Sequence, residues 1–123
     1  INERISNKNI QFLGYVEDRY SFFNSIKVFI FPSYSEGLGL VLLEAMSHGV
    51  LCITRDVSPM NSIINHGENG FLFKDNNELM EIIEKALKLN PLEKDKMVKS
   101  AIEKIEKSYS IMQMYLSIDK AYN

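Results

Sequence analysis

The sequence predicts an α/β domain built on a parallel sheet of doubly wound type, with helices packed on its faces. Two observations carry this. The runs KVFIF at 27–31 and VLCIT at 50–54 are β-branched, aromatic and apolar without alternation, as strands covered on both faces are. Around them lie helix-like segments in the order strand, helix, strand, helix, joined by connections short enough to be crossovers. A sheet of this kind opens its ligand crevice beyond the carboxyl ends of its strands.

In chain order, residues 9–13 (NIQFL), ending at Gly14, are expected as a short strand and residues 18–25 as a helix. Residues 27–31 form a stronger strand candidate that stops at Pro32. A helix over 40–48 is stopped by Gly49, a strand follows over 50–54, and a helix over 59–65 is expected to stop at Gly67. The triplet FLF at 71–73, after the turn GENG, adds a fourth strand candidate. Segments 76–89 and 92–108 place Leu79, Ile82, Ile83, Ala86 and Leu87, then Met97, Ala101 and Ile105, at helical spacing among Glu and Lys, the pattern of amphipathic covers. Segment 111–122 carries Met112, Met114, Tyr115, Leu116 and Ile118 and needs a surface to pack on, which a neighbouring domain would supply.

Length and composition bound the function. A chain of 123 residues fits one domain, and 46% hydrophobic with 24% charged residues is ordinary globular usage. With 14 Lys plus Arg against 16 Asp plus Glu, the net charge of −2 gives no cationic excess to drive nucleic-acid or acidic-membrane binding, so no nucleic-acid partner is expected. The single Cys52 lies in an apolar run, as a reduced core thiol of a cytoplasmic protein would. The longest greasy segment, 38–46, is broken by Glu44 and is far short of the roughly 20 residues of a membrane span. The amino terminus, INERISNKNI, has no initiator Met and no leader pattern, so the chain reads as a piece of a longer protein.

The chemistry concentrates in residues 31–49, FPSYSEGLGLVLLEAMSHG, which run from a strand through a serine and glycine loop into a helix. Glycines 37 and 39 let backbone approach a ligand, and the first helical turn offers unpaired N–H groups at a positive dipole end, where anions bind. A tight turn that needs glycine for steric reasons is the commoner explanation of such a loop taken alone. Glu44 shifts the balance, because Leu38, Leu40, Val41, Leu42, Leu43, Ala45 and Met46 surround it with apolar positions, and carboxylates are almost never buried unpaired. No Lys or Arg lies within a helical turn of it. A carboxylate there, leaning toward the helix amino end, could accept hydrogen bonds from a sugar diol; a solvated gap in the greasy face is the bland alternative. Glu36, eight positions earlier beside Gly37, could reach another part of one extended ligand. Arg55 could meet a phosphate, although a structural role is the commoner one, and His48 and His66 precede glycines, as helix C-capping residues do. No metal-ligand spacing and no GxSxG occurs, so metal-assisted and serine-nucleophile chemistry have no support.

The segment FPSYSEGLGLVLLEAMSHGV closely resembles the Glu-x7-Glu motif region of the group 1 (family 4) retaining glycosyltransferases, and FLGYVED before it and HGENGFLF after it stand in that family's order. The resemblance covers roughly residues 9–73. It implies a Rossmann-like parallel sheet with flanking helices, the carboxy-terminal, nucleotide-sugar-binding half of a GT-B fold. Residues 1–123 would then be a single partial domain, without the amino-terminal acceptor domain. It further implies that Glu36 contacts the donor sugar near the reacting carbon, that Gly37, Leu38, Gly39 and Leu40 present backbone N–H groups to sugar and diphosphate, that Glu44 holds the ribose diol, and that Val16 meets the base through its main chain. The partners implied are a nucleotide-sugar donor, a sugar or lipid-linked acceptor in cell-surface polysaccharide or glycolipid synthesis, and the missing amino-terminal domain. No cofactor and no metal is expected, and the location implied is cytoplasmic, with any attachment to the inner membrane face made through the missing domain.

In that chemistry the departing nucleoside diphosphate is stabilised by aimed donors at the helix end, and Glu36 acts as a positioning and electrostatic group rather than as a covalent nucleophile. The sequence departs from the family's pattern in three places. The Arg and Lys that usually grip the diphosphate lie upstream of the matching region, Leu51 stands where Pro is common, and Asn61-Ser62 replaces Pro-Glu. The rival readings are a nucleotide-sugar-binding module without turnover and another GT-B enzyme such as a nucleotide-sugar epimerase.

Overall fold

The computed structural model describes residues 9–34 and 39–108. Among them, the elements run α1 (Arg19–Ser25), β1 (Val28–Phe31), α2 (Gly39–Ser47), β2 (Leu51–Arg55), α3 (Met60–Ile63), β3 (Phe71–Phe73), α4 (Asn76–Leu87) and α5 (Pro91–Ser108). The strands form a parallel sheet in the order β1-β2-β3, in register from Val28 opposite Leu51 to Phe31 opposite Thr54, and from Ile53 opposite Phe71 to Arg55 opposite Phe73.

The central strand explains the continuous apolarity of its sequence. Leu51, Cys52, Ile53 and Thr54 are all buried, because successive side chains of a strand point to opposite faces and both faces are covered. Cys52 packs with Phe23, Leu42, Leu43, Met46, Met60 and Ile64 on the side of α2 and α3. Leu51 and Ile53 pack with Phe71, Phe73, Ile82 and Ala86 on the side of α4. Helix α5 joins both layers, since Met97 belongs to the second cluster and Ala101 and Ile105 to the first. Burial of this kind pushes the Cys52 thiol up, because a thiolate there would lose its water.

Local signals set the helix ends. The Asp18 side chain caps α1, accepting from the Ser21 N–H at 3.0 Å and the Ser21 hydroxyl at 2.7 Å. These two bonds hold the Asp18 carboxyl below its usual range, so the cap strengthens the fold above the unfolded-state value and is lost as pH falls through the lower folded one. Helix α5 starts one residue earlier than the spacing predicts. Asn90 accepts from the Glu93 N–H at 2.8 Å while the Glu93 carboxylate accepts from the Asn90 N–H at 3.1 Å, a capping box with Pro91 as the first helical residue. Helix α2 ends in a Schellman turn: the Gly49 N–H reaches the Met46 carbonyl, the Val50 N–H reaches the Ala45 carbonyl, and Gly49 takes a φ of 77°.

Four expectations are corrected or fall elsewhere. Residues 9–13 form no strand. They find no ladder partner among the described residues, and Ile10, Phe12 and Leu13 stand 48%, 49% and 59% exposed. Gly67 is not a helix stop, since α3 ends at Ile63 and Gly67 sits in the turn before β3, its N–H bonded to the Gly70 carbonyl. Leu87, expected on the apolar face of its helix, is 73% exposed at the helix end. Segment 111–122 lies outside the described residues. Where the family commonly has Pro, Leu51 instead donates its N–H to the Lys27 carbonyl, a bond that proline could not make.

Gly49→Ala is expected to destabilise the domain by about 1–2 kcal/mol, the cost of a Cβ in the left-handed region, as measured by chemical denaturation. An unchanged midpoint would contradict this account of the turn that aims α2 into β2.

Candidate functional site

The site lies where the chain leaves β1 and enters α2, at the carboxyl ends of the strands. Arg55, the last residue of β2, ties this rim together. Its Nε donates to the Pro32 carbonyl at 2.8 Å and its Nη1 to the Lys74 carbonyl at 3.3 Å, while its guanidinium lies 4.1 Å from the Tyr34 ring centre and 4.9 Å from that of Phe73. One side chain therefore links the segments that follow β1 and β3, which is the structural role the sequence left open beside phosphate binding.

Glu36, Gly37 and Leu38 lie outside the described residues. Gly39 opens α2 and packs tightly, because a Cβ there would stand 3.2 Å from Cγ of Pro59 and 3.8 Å from Cδ1 of Ile63. The missing side chain thus lets the helix start press on the Pro59 segment, and the first-turn N–H groups of Gly39 and Leu40 need partners from outside the helix. Leu40 is half-buried.

Glu44 is the anomaly the sequence flagged. It sits one turn beyond Leu40 and is 3% exposed, among Leu42, Leu43, Ala45 and Met46 at 0 to 3%. The solvated alternative is thereby excluded. Its Oε1 accepts no hydrogen bond among the described residues, but lies 3.4 Å from Nε of Arg19, whose side chain is 46% exposed. Sequence spacing could not find this partner, because it comes from α1, and only the fold brings the two helices together.

Side chains of helix α1 meet Glu44 of α2 and, one turn on and just past the helix end, His48. The His48 ring stacks on Phe23 at 5.8 Å, meets Tyr20 edge-on at 5.1 Å, and places Nδ1 3.3 Å from Oδ1 of Asn24. His48 is therefore the residue that docks α1, besides preceding the Gly49 stop. Val16, half-buried three residues before Arg19, lines an open groove of about 630 Å³ with Gln11, Phe12, Leu13, Gly14 and Phe22. His66 is structural, its Nδ1 accepting the Leu72 N–H at 2.9 Å. Among the described residues no group of three or more His, Cys, Asp or Glu could hold a metal ion, and no helix is long and apolar enough to cross a membrane.

The chemistry open to such an arrangement is recognition rather than proton transfer: a dry carboxylate with spare acceptor capacity, a cation beside it, and a helix amino end one turn away. Comparison with known proteins gives the family. The family model for glycosyl transferases group 1 matches residues 1–105. The chain is 29% identical over 119 residues to the capsular polysaccharide biosynthesis glycosyltransferase CapM of Staphylococcus aureus, covering 95% of this chain and 31% of that protein. It is 33% identical over 69 residues to an Escherichia coli UDP-Gal:alpha-D-GlcNAc-diphosphoundecaprenol alpha-1,3-galactosyltransferase, covering 56% of this chain and 18% of that one. The fold is that of a GT-B carboxy-terminal domain. The solved carboxy-terminal domain of the group 1 family protein LpcC from Francisella tularensis superposes with a TM-score of 0.67 at 20% identity, over 81% of this chain and 52% of that one. The chain thus spans about a third or less of the curated relatives it matches.

Glu44→Met is expected to leave the denaturation midpoint unchanged or raised, since a buried ion pair often gives way to apolar groups at no loss, or at a gain of about 1–4 kcal/mol, and half-exposed Arg19 regains water. A loss above about 2 kcal/mol would show that the carboxylate serves stability instead.

Proposed function

Because the chain belongs to the group 1 glycosyl transferases, we propose that the rim between α1 and α2 is the donor half-site of a retaining glycosyltransferase, binding a nucleotide-sugar whose glycosyl group passes to a sugar or lipid-linked acceptor. The observation that carries this reading is the 3% exposed Glu44 carboxylate, with an oxygen that accepts no hydrogen bond among the described residues, one turn from the amino end of α2. A protein keeps a desolvated acceptor of this kind where a ligand completes it.

In this reading the ribose hydroxyls donate to Glu44, and the diphosphate takes backbone N–H groups of residues 37–40, where the helix dipole favours negative charge. The base rests by the main chain of Val16, in the groove beside α1. As the glycosidic bond to phosphate breaks, charge builds on the departing nucleoside diphosphate, and fixed N–H donors lower that barrier without a metal. Glu36 positions the donor sugar near the reacting carbon and offsets its developing positive charge. An amino-terminal domain supplies the acceptor side, on the cytoplasmic face of the membrane. Of the named relatives, one is a capsular polysaccharide biosynthesis glycosyltransferase and the other is named for UDP-Gal and a diphosphoundecaprenol-linked sugar, which supports cell-surface polysaccharide as the product class.

Steady-state kinetics of the full-length protein test the assignment. Glu44→Ala is expected to raise the donor KM by roughly tenfold or more with a smaller fall in kcat, and Glu36→Ala to lower kcat by about 10². Wild-type constants for both variants would refute the site.

A further inference from the structure

The donor reading leaves Arg19 without a role, yet it stands 3.4 Å from a carboxylate that is otherwise dry. We propose that Arg19 is a positioning residue for ribose recognition: it holds the Glu44 carboxylate in place while leaving its lone pairs for two hydroxyls. The inference rests on the donor reading of Glu44.

The geometry separates charge from hydrogen bonding. Nε of Arg19 is close enough to neutralise Oε1 of Glu44, but makes no hydrogen bond to it. A carboxylate offers about four acceptor positions, enough for both hydroxyls of a vicinal diol. The placement of Arg19 is also set by the fold: Asp18 caps α1 one residue before it, and His48 docks α1 through Tyr20, Phe23 and Asn24. With 46% of its side chain exposed, Arg19 stands on the open side of the pair.

A selectivity ratio distinguishes this role from mere support of the fold. Binding of uridine, guanosine and adenosine diphosphates to the full-length protein is measured by calorimetry, and the tightest is compared with its 2′,3′-dideoxy analogue. The wild type is expected to prefer the ribose form by at least roughly tenfold, since each hydrogen bond to a charged group is worth about that factor. Arg19→Gln is expected to bring that ratio near unity while the dideoxy affinity stays within about twofold, and Arg19→Lys to keep most of it. Equal weakening of both ligands by Arg19→Gln, or an unchanged ratio, would overturn the proposal. If Glu44→Ala keeps the wild-type ratio, or if none of the three nucleotides binds, the donor reading itself falls.

Discussion

The cost of keeping a carboxylate in a dry helix orders the rest of the site. Glu44 lies where the packing of α2 against the sheet, α3 and α5 leaves almost no water, and a carboxylate in such a place costs free energy unless something compensates its lost hydration. The fold supplies a cation from α1, and the chain spends a capping aspartate, a docking histidine and several aromatic contacts to keep that helix where the cation meets the acid. The acid itself does not serve the core, because an apolar residue at 44 would fill the same space without the penalty.

Position follows from the sheet. The continuous burial of β2 fixes two layers, and the Schellman turn at Gly49 fixes the angle at which α2 leads into that strand. The start of α2 is then pressed against Pro59, where Gly39 has no side chain to interfere, and Arg55 binds the segments beyond β1 and β3 to the same rim. The helix amino end, the buried acid and the paired cation are thereby held on rigid elements, which recognition of a flexible, charged ligand requires.

The fold was legible because its signals are local. The unalternating apolar run at 51–54, glycine at 49 and the apolar spacing over 76–87 and 91–105 report burial directly, and the structure places a strand and helices there. The run at 28–31 forms its strand too, but contrary to its reading as covered on both faces it is an edge strand of the described sheet, only half-buried, with Ile30 38% exposed. Residues 9–13 have equal strand character but no neighbour to pair with among the described residues, and strand propensity has no meaning without a ladder. Gly67 misled for a related reason, since glycine marks a turn as readily as a helix end. Of the site, Glu44 was readable as an acid in an apolar helix. Arg19 was not: it lies 25 positions away in an exposed, mixed segment, and nothing local distinguishes an arginine that meets a buried acid from one that meets water.

The most direct measurement is a crystal structure of the full-length protein with its nucleoside diphosphate bound. The account predicts both ribose hydroxyls within hydrogen-bond distance, about 2.5–3.0 Å, of the Glu44 carboxylate, with Arg19 still beside it. A nucleotide bound elsewhere, with Glu44 facing Arg19 as it does here, would contradict it.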